Sequence, residues 1–406
     1  MDRESLWTRV SAGWCAIGAA KTGEIPCIFP DSREFGFETG SLETATTARN
    51  PPKIPATWIS RPGRIAVDSR ICAHPAPRKL APVRGVDGRH TLPTYPQAPA
   101  SGNVKLMIRQ HIFHQPVNVL KSASRSRLTV ADHSRESAGL RYVYPVVSRR
   151  AGGLSIGINL NTNNACNWRC IYCQVPGLTR GAPGPLDLDR LRFELTDFLQ
   201  DVLKGDFLVA RVPAEARRLN DIALSGNGEP TSAKEFEQVI DLIGEIRRQA
   251  GVPAGVKTVL ITNGSLMQRS GVQDGVRKLA ALNGEVWFKM DRATDAGMRR
   301  VNNTRTGMAR ARANLAIAAR LCPTWIQTCQ FAFDGAGPDE VEQEAYVEFL
   351  RQCLADAIAL KGVLLYGLAR RSFQPEASRL APLSAQQLET MAQRIRALGL
   401  AVKVTP

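Results

Sequence analysis

No histidine occurs after His133: all five, His74, His90, His111, His114 and His133, lie in the first third of the chain. Ser-His-Asp hydrolysis, Cys-His nucleophilic catalysis and His-ligated metal hydrolysis each need an imidazole, so a catalytic region downstream of about residue 140 is no ordinary hydrolase. Acidic residues are scarce beside basic ones, Asp+Glu 37 against Lys+Arg 53, for a net charge of +16. That surplus favours polyanionic partners, RNA among them, without naming one. No stretch approaches the ~18 to 20 apolar residues of a membrane span. Residues 1–20 carry Asp2 and Glu4 at their head and lack the clean apolar core of a secretory signal, so no membrane association is expected. The nine cysteines are an odd count for a disulfide framework, and three of them fall within eight residues. Metal-bound thiolates in a reducing compartment, the cytoplasm, fit that pattern better.

Residues 1–126 hold 13 of the 25 prolines and carry 17 basic against 9 acidic side chains. Runs such as Ala73-His74-Pro75-Ala76-Pro77 suit neither helix nor strand, and this region is expected to be largely disordered. It is either a basic arm that touches nucleic acid or a stretch translated from an upstream start, with Met107 or a nearby codon opening the native protein. Its lack of hydrophobic periodicity favours the second. From about Leu140 apolar runs of strand length alternate with longer helical patterns, the signature of parallel βα units. Strands are expected at 154–160, 221–225, 258–262, 286–290, 326–331 and 363–366. Helices are expected at 186–203, 233–249, 274–282, 310–320, 340–360 and 384–398. Six such units predict an α/β catalytic domain over 140–406, an open, partial (β/α)6 TIM-like barrel with its functional groups at the carboxyl ends of the strands.

Just after the first expected strand comes Asn163-Asn164-Ala165-Cys166-Asn167-Trp168-Arg169-Cys170-Ile171-Tyr172-Cys173. The C-x3-C-x2-C spacing lets three thiolates wrap round one face of a compact metal centre. Thiolates are soft ligands that suit zinc or iron-sulfur clusters, and a cluster of four irons held by three cysteines keeps one iron open. A structural zinc would need a fourth ligand. Without histidine, Cys322, Cys329 and Cys353 are the candidates, yet each falls on an apolar pattern where a buried, inert cysteine is the ordinary reading.

At these residues the chain resembles the radical S-adenosylmethionine (SAM) superfamily, whose hallmark is C-x3-C-x-(aromatic)-C on the loop after the first strand of a partial (β/α)6 barrel. Tyr172 fills the aromatic slot. The resemblance implies a 4Fe-4S cluster on Cys166, Cys170 and Cys173, SAM on its open iron, and reductive cleavage to a 5'-deoxyadenosyl radical that abstracts hydrogen from a substrate. It also implies an electron donor of flavodoxin or ferredoxin type. Ser225-Gly226-Asn227-Gly228-Glu229-Pro230-Thr231 is similar to the family's Gly-Gly-Glu segment at the SAM amino group. Glycines there let backbone approach a ligand, and the Glu229 carboxylate can pair with an ammonium. Taken alone it is an ordinary Gly-Pro turn. Thr262-Asn263-Gly264 resembles the family's T-N-G, and Lys289 to Asp291 ends the fourth strand, where ribose or carboxylate contacts lie. Helix capping and turn formation are the alternatives for these residues.

Together with Tyr366-Gly367-Leu368-Ala369-Arg370, these motifs are similar to those of the subgroup that includes wyosine-type tRNA-modifying enzymes. Those enzymes carry second-cluster cysteines and a keto-acid lysine upstream of the motif, whereas residues 127–165 here contain neither Cys nor Lys. RNA modification is one branch of function that the resemblance implies. Modification of a partner protein, as in activating or peptide-modifying relatives, is a second. A non-catalytic metal-binding module is a third. Arg149, Arg150, Arg169, Arg180, Arg299, Arg300, Arg305, Arg370 and Arg371, gathered round one mouth, would form a phosphate-binding rim.

Overall fold

The computed structural model describes residues 127–129, 134–135, 138–148 and 152–406. The expectations for residues 1–126, Met107 included, and for Arg149 and Arg150 lie outside the described residues.

The chain enters through β1 (Val143–Ser148), turns at Gly152, whose φ is +71°, and returns antiparallel as β2 (Gly153–Ile158). A long loop follows, holding the two-residue strands β3 (Ala165–Cys166) and β4 (Thr179–Arg180), which pair in parallel. Then come α1 (Leu188–Lys204), α2 (Phe207–Arg211), β5 (Leu219–Leu224), α3 (Phe236–Ala250), β6 (Lys257–Thr262), α4 (Ser270–Ala280) and β7 (Gly284–Lys289). After these lie α5 (Asp295–Asn302), α6 (Met308–Leu321), β8 (Thr324–Phe333), α7 (Glu340–Ala355), β9 (Leu360–Gly367), β10 (Leu380–Pro382), α8 (Ala385–Arg396) and β11 (Val402–Thr405).

Spatial order along the main sheet is β1-β2-β5-β6-β7-β8-β9-β11, with β10 antiparallel on β8. The run from β2 to β9 is parallel throughout. This is a mixed α/β fold whose curled sheet forms an open half-barrel, as the six βα units predict. β1 and β11 are its edges.

Strand alternation sorts the side chains into two layers. Ile156, Ile222, Leu260, Phe288, Ile326 and Val363 point outward into the large core shared with the helices. Ala223, Val259, Trp287, Trp325 and Leu364 point inward and pack together inside the barrel. The helices meet the outer layer by their own spacing. In α1 the residues Leu191, Leu195, Phe198, Leu199 and Val202 are buried, and the Asp187 side chain caps its start by accepting from the Arg190 N–H at 2.9 Å. Helix α8 starts on a capping box between Ser384 and Gln387.

At the amino ends of the strands, Glu285 Oε1 accepts from the ammoniums of Lys257 at 2.6 Å and Lys361 at 2.8 Å, while its Oε2 accepts from Trp287 Nε1 at 3.3 Å. The Lys403 ammonium lies 4.7 Å from the centre of the Trp325 ring. These groups line that end and leave the carboxyl ends as the cavity's mouth.

Candidate active site

The loop after β2 is held in place by asparagines before any thiol is considered. Asn159 Oδ1 accepts from the Asn161 and Asn227 N–H groups, both at 3.1 Å. Asn161 Nδ2 donates to the Ala165 carbonyl at 2.9 Å, and Asn227 Nδ2 donates to Asn164 Oδ1 at 2.7 Å. Asn164 adopts φ 55°, left-handed geometry that asparagine tolerates and most residues do not. From the other side, the Ile171 N–H donates to the Val301 carbonyl at 2.9 Å and the Phe373 N–H to the Cys173 carbonyl at 3.0 Å. Ser372 Oγ donates to the Ile171 carbonyl at 2.8 Å. The loop is therefore pinned to the ends of β5, to the close of α5 and to the segment after β9.

Cys166, Cys170 and Cys173 are free, half-buried thiols, and all three line one cavity of about 270 Å³ at the barrel mouth. Burial pushes the Cys166 thiol up to about 12 and the Cys170 thiol up to about 11, so both are neutral without a cation and would lose their protons to a bound metal. The donor set is soft, and it fits an iron-sulfur cluster, in which each thiolate takes a different iron. Among the described residues no three His, Cys, Asp or Glu side chains are grouped to hold a single ion. Cys322 and Cys353 lie in the helix-side core, and only Cys329 of the three fourth-ligand candidates for zinc lines the cavity.

Glu229 is 2% exposed, and its carboxylate is the knot between two strand ends. Oε1 accepts from the Thr231 N–H at 3.2 Å and from the hydroxyls of Thr231 and Thr262, both at 2.6 Å. Oε2 accepts from the Asn263 N–H at 2.6 Å. Burial nevertheless raises the Glu229 carboxyl above the ordinary glutamate value, with those hydrogen bonds working against the shift. The carboxylate thus lies at the cavity wall but is engaged by four donors of the protein. Asn263 Nδ2 completes the tie by donating to Asn167 Oδ1, inside the cysteine motif, at 2.8 Å.

Gly226 and Gly228 act on the same junction. A Cβ on Gly226, whose φ is +139°, would collide with the Asn159 side chain, and one on Gly228 would collide with the Ala165 carbonyl and Asn161. The glycines are needed so that the β5 loop can lie against the cysteine loop.

Lys289, Asp291 and Tyr172 form the opposite wall. Asp291 is 1% exposed and accepts from Tyr172 Oη at 2.5 Å, Asn302 Nδ2 at 2.7 Å and the Cys329 N–H at 2.9 Å. Asn302 Nδ2 also lies 3.2 Å from Cys170 Sγ. Half-buried Lys289 places its ammonium 4.9 Å from the centre of the Tyr172 ring. Burial works against the charge of Lys289, but the electrostatic influence of Tyr366 and Asp291 holds it above the ordinary lysine range.

The residues that the cysteine, Gly-Glu, Thr-Asn-Gly and Lys-Met-Asp motifs singled out as metal or cofactor contacts are thus brought to one mouth. Cys166, Cys170, Cys173, Tyr172, Gly226, Asn227, Gly228, Glu229, Asn263 and Lys289 line the cavity itself, while Thr262 and Asp291 bind residues that do. The described arginines of the expected rim are not gathered there. Arg370 lines the cavity, Arg169 is paired with Glu376 at 2.8 Å, and Arg180 and Arg305 line an outer groove with Arg310.

The supporting asparagines Asn159, Asn161, Asn167 and Asn302 were not singled out by the motif reading. Their signal is composition: residues 159–167 hold five asparagines, a residue type that stitches turns and caps. Asp221, Gln327 and Arg135 also line the cavity. Nothing in their sequence surroundings marks them.

The chain matches no protein-family profile. A UPF0026 protein of Synechocystis sp. is 28% identical over 194 residues, 48% of this chain and 61% of that protein. The GTPase Obg of Brachyspira hyodysenteriae is 31% identical over 129 residues, 31% of this chain and 16% of that protein. The chain therefore matches less than two thirds of the length of either relative. Among solved structures, a radical SAM methyltransferase from Sphaerobacter thermophilus aligns with a TM-score of 0.41 at 13% identity, over 62% of this chain and 66% of that one. No helix among the described residues is long and apolar enough to cross a membrane.

Proposed function

We propose that this chain is a radical SAM enzyme, with a 4Fe-4S cluster on Cys166, Cys170 and Cys173. The observation that carries the reading is positional. Three thiols spaced C-x3-C-x2-C line the mouth of an open parallel half-barrel, facing the Gly226–Glu229 loop on one wall and Lys289 on the other. When bound, the cluster and SAM supply reductive carbon-sulfur cleavage and hydrogen abstraction from a substrate.

The chain's own residues bind, orient and exclude water. Tyr172, Asp291 and Asn302 hold the cysteine loop against the ends of β7 and α5. Glu229, Thr262 and Asn263 lock the β5 and β6 loops together, so that the backbone of residues 226–228 faces the cavity at a fixed distance. The inner apolar layer of Trp287, Trp325 and Leu364 seals the barrel below and keeps bulk water from a reactive intermediate.

An acidic one-electron donor of flavodoxin or ferredoxin type suits the outer groove. Its Arg180, Arg305 and Arg310 lie beside Asn167 and Trp168 of the cysteine motif, and Trp168 lines both groove and cavity. Such chemistry belongs in a reducing, cytoplasmic setting.

Anaerobic reconstitution of the full chain tests the assignment. Iron and sulfide in the 4Fe-4S ratio, lost in each of Cys166→Ala, Cys170→Ala and Cys173→Ala, are expected. Stoichiometric zinc without sulfide would overturn it.

A further inference from the structure

The three motif cysteines are held by different parts of the chain. Cys166 belongs to β3, and its carbonyl accepts from the Gly181 N–H, just past β4, at 3.1 Å. Cys170 has Asn302 of α5 against its sulfur at 3.2 Å. Cys173 is followed by residues 174–178, which form neither helix nor strand. The carbonyls around it therefore need partners from elsewhere.

Those partners come from the segment after β9, 199 residues further along the chain at Ser372. The Phe373 N–H donates to the Cys173 carbonyl at 3.0 Å. Ser372 Oγ lies 2.8 Å from the Ile171 carbonyl and 3.1 Å from the Cys173 carbonyl, and it accepts from the Gln374 N–H at 3.0 Å. Gln374 Nε2 donates to the Val175 carbonyl at 3.1 Å. Residues 372–374 thus form one clasp on the backbone that carries the third thiol.

Burial shows which side chains serve it. Ser372 is 2% exposed and Gln374 6%, whereas Phe373 between them is 62% exposed. Two polar side chains turn in and the aromatic one turns out, the reverse of what apolar burial alone selects. The loop's carbonyls account for that choice, because a buried carbonyl is costly to leave without a partner. Immediately upstream, Leu368, Ala369 and Arg370 line the cavity, so one segment runs from cavity wall to cysteine motif.

We propose that Ser372 and Gln374 are positioning residues for the third cysteine, holding the backbone of Cys173 so that its thiol stays at the cavity to take a metal. That this metal is an iron of a 4Fe-4S cluster rests on the radical SAM reading. That the clasp fixes Cys173 is a property of the apo chain.

The test uses the full chain. In the apo protein, alkylation of each motif cysteine by iodoacetamide is followed by peptide mass spectrometry. Cys173 is expected to react about fivefold faster in Ser372→Ala and in Gln374→Ala, the size of one lost hydrogen bond, while Cys166 and Cys170 stay within about twofold of the parent. Arg371→Ala, on the same segment but exposed, leaves all three rates as they are. After reconstitution, Ser372→Ala is expected to release iron to a chelator about fivefold faster than the parent.

Three cysteines that speed up in parallel would overturn the proposal by showing that Ser372 and Gln374 serve the fold at large. Cys173 rates within about twofold of the parent in both variants would overturn it too, as would iron released from Ser372→Ala at the parent's rate. Alkylation is read on apo protein. A chain that shows the Cys173-selective change yet assembles no cluster would therefore sink the radical SAM reading and uphold the clasp.

Discussion

Tyr172 Oη donates to Asp291 Oδ2 at 2.5 Å, which ties the aromatic residue inside the cysteine motif to the end of the fourth barrel strand. The bond is buried on both sides, and it fixes where Cys170 and Cys173, its flanking motif cysteines, can sit. Tyr172→Phe keeps the ring and its packing on Phe331, 5.4 Å between centres, but leaves Asp291 one donor short. The expected cost is about 1–3 kcal/mol in urea unfolding of the apo protein. In the Asp291→Asn background the same change should cost less, because the charged acceptor is gone.

Glu229 predicts a pH dependence. Its folded-state carboxyl is raised by burial above the ordinary 4.5, so in the window just above 4.5 the unfolded chain has released a proton that the folded one keeps. Stability from this group is fully present below 4.5 and is lost as pH rises through the folded value. Melting temperature against pH should therefore fall more steeply over that window in the parent than in Glu229→Gln. A parallel pair of curves would contradict the role of burial here.

Asn302 links Asp291 and Cys170, at 2.7 and 3.2 Å from its Nδ2. Hydrogen bonds to ligand sulfur favour the reduced state of a cluster. Asn302→Leu is expected to retain iron but lower the midpoint potential, read by a redox titration followed by electron paramagnetic resonance. An unchanged potential would show that the N–H does not reach the ligand sulfur.

The remaining cysteines separate ligand from core. Cys322→Ala and Cys353→Ala remove thiols from the helix-side core and should leave the iron content of the reconstituted protein unchanged, whereas Cys170→Ala should reduce it to background. Iron lost on Cys322→Ala without loss of fold would contradict the assignment of ligands.

Much of the barrel was legible because its strands are short apolar runs between amphipathic helices. The expected strand 258–262 is β6 extended by Lys257, and the expected strand 326–331 lies inside β8 (Thr324–Phe333). The helix expected over 340–360 ends earlier, at Ala355. Asp356 caps it, Ala357 turns left-handed at φ 54°, and β9 then starts at Leu360, so one apolar stretch is divided between a helix and a strand. Edge strands β1 and β11 were not anticipated, nor were α2, α5 and β10, each short enough for local pattern to be weak.

The cysteines, Glu229 and Asn263 stood out because they fall in spaced motifs at strand ends. Ser372 did not. It is one polar residue in the segment Arg-Arg-Ser-Phe-Gln, where only three-dimensional contact with the Ile171 and Cys173 carbonyls distinguishes an anchor from a surface loop.

The most direct test of the account is release of 5'-deoxyadenosine from SAM by the reconstituted full chain under dithionite. The account predicts product that disappears with each of Cys166→Ala, Cys170→Ala and Cys173→Ala. A protein that carries its 4Fe-4S cluster, binds SAM and still releases no 5'-deoxyadenosine would contradict it.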